Sequence, residues 1–177
     1  MEWNGQIKAG DAGPVLTPEG VVRLREVYPL STGVVRHCLA DHPLLSREML
    51  ALAAERMDPA HVECRAANGR NGGEFAMAAP VADSPAETIR QIETAGRWVM
   101  LRFAEQLPEY AELIAALLGE MEPMMAATTG EAQRVAAFIF ISSPGTLTPF
   151  HFDPELNILF QIAGSKRFVT FPPTPPW

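Results

Sequence analysis

Between Val135 and Phe171 the chain carries four short runs dense in β-branched, aromatic and large aliphatic residues, punctuated by proline and glycine turns. Runs of this length and composition fit a pleated surface better than a helix. The spacing predicts strands over Val135 to Ser142, Thr146 to Asp153, Leu156 to Ile162 and Arg167 to Phe171. Ser143-Pro144-Gly145 ends the first, and Ala163-Gly164-Ser165 joins the last two as a tight hairpin. A strand must find a ladder partner, so a strand-rich end limits the fold more than any helix upstream.

The preceding residues carry helical signals. Ser46 precedes a run in which Met49, Leu50, Ala53, Ala54 and Met57 recur at three and four, with Pro59 beyond it. Ser84-Pro85-Ala86-Glu87 combines an N-cap, a first-position proline and a capping-box glutamate, and Gly96 is the expected stop. A third helix follows Pro108 through Tyr110, Leu113, Ile114, Leu117 and Leu118, with Gly119 or Pro123 ending it. Short strands are expected at His61 to Arg65 and Trp98 to Phe103. Residues 66–82 read as a loop, and residues 1–29 as an extended arm rich in turn residues. Met121, Met124 and Met125 read as gap-filling core residues. The fold class is α+β, with a helix-rich part over residues 1–130 and a strand-rich part over 131–177.

A chain of 177 residues suits one domain. Its net charge of −7 argues against a non-specific grip on a nucleic-acid backbone, which needs clustered Lys and Arg. Cys38 and Cys64 have no CxxC or Cys/His partner pattern and read as two reduced thiols. No apolar run reaches the ~18 residues of a membrane span, and the start, MEWNGQIKAGDAGP, lacks the basic-then-apolar order of a secretion signal. The cytoplasm is the expected location.

Chemistry concentrates in the strand-rich part. His151 and Asp153 are two apart, so on a strand imidazole and carboxylate project from one face. Such a pair suits two ligands of a two-His-one-carboxylate site, whose open positions accept an organic co-substrate and dioxygen. Lys166, at the start of the strand that hairpins back, can reach a carboxylate chelated there, and the Thr148 hydroxyl can bind the same anion. Taken alone, the His-Phe-Asp tripeptide is also compatible with a surface hydrogen-bonded pair.

The pattern Thr148-Pro-x-His151-x-Asp153, then Asn157, Gln161 and Gly164-x-Lys166-Arg167, closing on Phe171-Pro172-Pro173, resembles the cupin-like JmjC group of Fe(II)/2-oxoglutarate oxygenases. Its nearest likeness is to the asparaginyl hydroxylases that act on hypoxia-inducible factor and to bacterial cupin-like relatives. The resemblance implies a double-stranded β-helix, a jelly-roll relative. It implies His151 and Asp153 as iron ligands, Lys166 and Thr148 on the distal carboxylate of 2-oxoglutarate, Asn157 near the co-substrate, and Phe138 and Phe140 as pocket walls. The implied activity is hydroxylation coupled to conversion of 2-oxoglutarate into succinate and CO2. A protein side chain is the first expected substrate and a small molecule the second.

In that family the third ligand is a second histidine on a later strand. The remaining histidines, His37, His42 and His61, all lie upstream. A double-stranded β-helix also needs about eight strands, roughly twice what this part supplies. The expectation is therefore a partial β-helix, a C-terminally incomplete piece of an oxygenase whose iron site lacks one ligand. Open strand edges leave a homodimer open as well. A non-catalytic cupin-like binding module is the alternative reading.

Overall fold

Thr17-Pro18-Glu19 opens a helix where turn residues predict an extended arm. The computed structural model describes residues 13–67, 83–153 and 156–171, and within them α1 spans Pro18–Val27. Thr17 accepts the Gly20 N–H, Pro18 occupies a first-turn position that needs no donor, and Leu24 and Val27 are buried. Pro18 and Gly20, read as breakers, sit where a helix start tolerates them. Tyr28, before Pro29, is extended as expected, and the bond between them is cis.

The other local signals form where the residues place them. Ser46 caps α2, Arg47–Arg56, and Ser84 caps α3, Pro85–Arg90. A one-residue break at Gln91 separates α3 from α4, Ile92–Ala95, which Gly96 ends in the left-handed region at φ 60°. Strands β1, Val62–Ala66, β2, Arg97–Arg102, and β3, Phe138–Ser142, form an antiparallel sheet in the order β1-β2-β3. The loop expected over residues 66–82 falls almost wholly outside the described residues.

Helix α5 runs from Pro108 to Thr129, past both residues expected to stop it. Pro123 cannot donate to the Gly119 carbonyl, which costs about 3 kcal/mol in a helix interior. Tertiary contacts offset that cost. Met121 is buried, Leu117, Met124 and Met125 pack against the core, and the Glu120 carboxylate accepts the N–H groups of Val15 (2.6 Å) and Leu16 (2.8 Å). No helix among the described residues is long and apolar enough to cross a membrane.

The two faces of the sheet differ in role. Cys64, Val99 and Leu101 join the core formed with Leu44, Ile89 and Tyr110, and Ile139 and Ile141 pack against it. The alternate residues point the other way: Glu63 and Arg65 on β1, Trp98, Met100 and Arg102 on β2, Phe138, Phe140 and Ser142 on β3. Helix α3 packs against both α2 and the β1–β2 pair. Arg90 on α3 pairs with Glu48 and Glu55 on α2.

The three strands expected after β3 do not form. Residues 146–153, 156–162 and 167–171 take no ladder hydrogen bonds, and β3 is the last strand among the described residues. Apolar side chains that a second sheet layer would cover stay exposed, including Phe150 (79%) and Phe152 (74%). High strand propensity does not make a strand without a neighbouring backbone to pair with. The double-stranded β-helix is accordingly not present in the described residues. They hold a helical layer on one face of a small antiparallel sheet.

Candidate metal and anion site

Residues after the Ser143-Pro144-Gly145 turn fold back over the sheet face opposite the core. Gly145 turns the chain at φ 76°, and the Thr146 N–H and hydroxyl both donate to the Ser143 carbonyl. Thr146, Leu147, Thr148 and Pro149 then line a small cavity with Trp98 and Phe140. The cavity measures about 30 Å3, room for a water molecule. Of the two aromatic walls expected, Phe140 lines it. Phe138 lies against Phe103 instead, with ring centres 5.5 Å apart.

Lys166 closes this cavity. The left-handed turn at Gly164 (φ 68°) brings it back, and its Nζ donates to Thr148 Oγ1 at 3.1 Å. The residue as a whole is exposed, but its amine packs beside Thr148 and 5.6 Å from the centre of the Phe168 ring. That partial burial pushes its pKa below the ordinary lysine range.

His151 and Asp153 stand side by side, with Nε2 and Oδ2 3.6 Å apart. His151 Nδ1 lies 2.8 Å from the Pro149 carbonyl. A carbonyl oxygen only accepts, so Nδ1 carries a proton, and in the neutral ring Nε2 presents a lone pair. That lone pair faces a carboxylate oxygen. A cation held between the two atoms would meet an acceptor on each side. Asn157 donates to the same Oδ2 at 2.9 Å and so orients the carboxylate.

The donor set, one imidazole nitrogen and one carboxylate oxygen, fits two protein ligands of a divalent first-row metal. Among the described residues no group of three His, Cys, Asp or Glu side chains is placed to hold one. His37 accepts the Leu39 N–H at Nδ1 and pairs through Nε2 with the Gln161 carbonyl. His42 is buried, and its Nδ1 accepts the Leu44 N–H. It caps the short turn Pro43–Leu45. His61 lies beside Gln106 and Phe103.

The four residues singled out by spacing thus form two pairs, Thr148 with Lys166 and His151 with Asp153, and Asn157, singled out by the resemblance, attaches to the second. The model of the cupin-like domain matches residues 52–175. This chain belongs to the cupin-like domain family. The match takes in the whole sheet and both pairs. No curated protein and no solved structure matches the chain. Trp98, read only as a strand residue, proves to line the cavity that Lys166 closes in this cupin-like chain. Its signal is register: two residues from Met100 on one strand, it faces the same side as Phe140.

Proposed function

We propose that this cupin-like chain carries the metal and co-substrate residues of an Fe(II)/2-oxoglutarate-dependent oxygenase. The observation that carries the reading is the opposition of His151 Nε2 and Asp153 Oδ2, two acceptors at 3.6 Å, on the same segment as Thr148, which shares a hydrogen bond with Lys166. His151 and Asp153 would hold the metal, with a third ligand from elsewhere. Bound there, iron and 2-oxoglutarate supply dioxygen activation coupled to oxidative decarboxylation, which ends in a hydroxylated substrate, succinate and CO2.

The chain's own residues have definite tasks in this reading. The Pro149 carbonyl fixes the tautomer that turns the Nε2 lone pair toward Asp153, and Asn157 orients the Asp153 carboxylate. Lys166 binds the distal carboxylate of the co-substrate as an ammonium. Thr148, which accepts from Lys166, still has its own proton to give to the same anion. Phe140, at 53% exposure, leaves the cavity walled on that side by a largely solvent-facing ring.

Calorimetric titration of the chain with Mn(II), then with 2-oxoglutarate in its presence, tests this. His151→Ala and Asp153→Ala are expected to remove metal binding, and Lys166→Ala to remove only the 2-oxoglutarate step. Unchanged metal affinity in both ligand variants would reject the iron site. Metal binding without any 2-oxoglutarate step would favour a non-catalytic cupin-like module.

A further inference from the structure

His37 touches the segment that carries Lys166, and it does so from a fixed backbone. Leu16 and His37 form an antiparallel bridge, the Cys38 N–H donates to the Val15 carbonyl at 2.7 Å, and the Thr17 N–H donates to the Arg36 carbonyl at 3.3 Å. Val15 and Leu16 are buried and give their own N–H groups to Glu120 on α5. The imidazole therefore rises from a strand-like hook anchored in the core.

Both ring nitrogens are engaged. Nδ1 accepts the Leu39 N–H at 3.2 Å, so the proton of the neutral ring sits on Nε2, which donates to the Gln161 carbonyl at 3.2 Å. The ring also meets Phe160 edge to face, with centres 5.5 Å apart. Phe160 and Ile162, on either side of Gln161, pack against the core. Among the described residues, the His37–Gln161 contact is the hydrogen bond that ties residues 156–171 to the chain before Thr146. Gln161 in turn stands at the entry of the turn that delivers the lysine. Its side-chain amide donates to the Ala163 carbonyl at 2.8 Å, Gly164 reverses the chain, and Lys166 then reaches Thr148.

We propose that His37 is a positioning residue for the Lys166–Thr148 pair: by holding the Gln161 carbonyl it sets where the Gly164 turn delivers the Lys166 amine. Its bearing on 2-oxoglutarate rests on the oxygenase reading; the hold on residues 156–171 does not. His151 and Asp153 lie on the preceding segment, placed by the Gly145 turn, so metal affinity is expected to be independent of His37. Two replacements separate the two contacts of the ring. Asparagine puts an acceptor at the Nδ1 end and keeps the Leu39 contact, whereas glutamine, one carbon longer, puts an amide donor at the Nε2 end and keeps the Gln161 contact.

Acylation of the Lys166 amine by a limiting dose of an amine-reactive ester, read by mass spectrometry, follows the lysine without any co-substrate. Calorimetry with Mn(II) and then 2-oxoglutarate follows the site. His37→Ala and His37→Asn are expected to speed Lys166 acylation and to weaken 2-oxoglutarate binding, each by about three- to tenfold, the size of one neutral hydrogen bond. Mn(II) affinity stays unchanged, and His37→Gln restores most of both effects. If His37→Ala does not fold, the Asn and Gln variants carry the comparison.

Lys166 acylation in His37→Asn at the parent rate overturns the proposal, and so does unchanged 2-oxoglutarate affinity where the parent binds it. Equal behaviour of the Asn and Gln variants overturns it by assigning the effect to the Leu39 contact or to neither. A parallel loss of Mn(II) affinity overturns it by making His37 a general support of the fold. A parent that binds no 2-oxoglutarate, but whose Lys166 acylation rises in His37→Asn and returns in His37→Gln, upholds the positioning role and rejects the co-substrate site alone.

Discussion

The Tyr110 hydroxyl donates to the Leu44 carbonyl across 2.8 Å in the buried core, between residues 66 apart in sequence. Helix α5 is thereby joined to the short turn that leads into α2. Burial, and then the neighbouring Glu109 carboxylate, push the phenol's pKa well above the ordinary tyrosine range, so the donor proton stays in place. Tyr110→Phe removes it and leaves a buried carbonyl short of a partner. A loss of about 1–3 kcal/mol is expected, read from urea unfolding as a lower midpoint at unchanged slope.

Two glycines in helices should respond to alanine with opposite signs. A Cβ on Gly20 would lie 2.1 Å from the Arg36 carbonyl oxygen, which also accepts the Thr17 N–H. Gly20→Ala must therefore move backbone, at a cost of about 1–3 kcal/mol. Gly119 has nothing within 4 Å of its would-be Cβ, so Gly119→Ala in α5 is expected to stabilise by about 0.5–1 kcal/mol. Thermal melts of the two variants should bracket the parent.

His42 should impose a pH dependence on folding. Its Nδ1 accepts the Leu44 N–H, its Nε2 is buried without a partner, and burial lowers its pKa. The folded chain therefore binds this proton less readily than the unfolded chain. The His42 contribution is complete above the unfolded value of about 6.5 and is lost as pH falls from there toward the lowered folded value. Urea midpoints compared across about pH 5–8 should show a fall for the parent that His42→Asn reduces.

Lys166 should set the alkaline limit of anion binding. Only the ammonium pairs with a carboxylate, and partial burial lowers the pKa of the free amine. Affinity for 2-oxoglutarate is therefore expected to fall as pH rises, and to begin falling below the ordinary lysine value of about 10.4. Titrations of the Mn(II)-loaded chain over that range check it. An affinity flat through the whole alkaline range would show that Lys166 does not carry the anion.

Elements that announce themselves within a few residues were legible from the sequence. Ser46, and Ser84 with Pro85 and Glu87, each cap the helix they predict, because a cap is a contact over three residues. The β2 and β3 segments were equally readable from composition. Helix α1 was obscured because Pro18 and Gly20 are also turn formers, and only the Thr17 cap tells the two uses apart. The extension of α5 past Pro123 depends on partners more than a hundred residues away, Val15 and Leu16 on Glu120. No local pattern contains them.

The site shows the same division. Thr148 and Lys166 meet, and so do His151 and Asp153, although the strands that would explain the spacing are absent. What spacing captured was proximity across two glycine turns, at Gly145 and Gly164, which survives without a ladder. Asn157, which the resemblance puts near the co-substrate, donates to Asp153, a contact that its spacing of four from the carboxylate allows. The place of Trp98 at the cavity was illegible because it arises from pairing between strands.

Beyond Thr146, up to Phe171, no backbone-to-backbone hydrogen bond joins these residues to one another or to the other described residues. Their amides have no ladder to shield them, whereas those of β2 lie between two neighbours. The chain should therefore show two regimes of hydrogen exchange, slow in the central strand and fast across the segment that bears Thr148, His151, Asp153 and Lys166. Part of the free energy of metal or anion binding would then go into organising that segment. Its amides would slow on ligation, and the site would act as the fastener of the polypeptide that forms it.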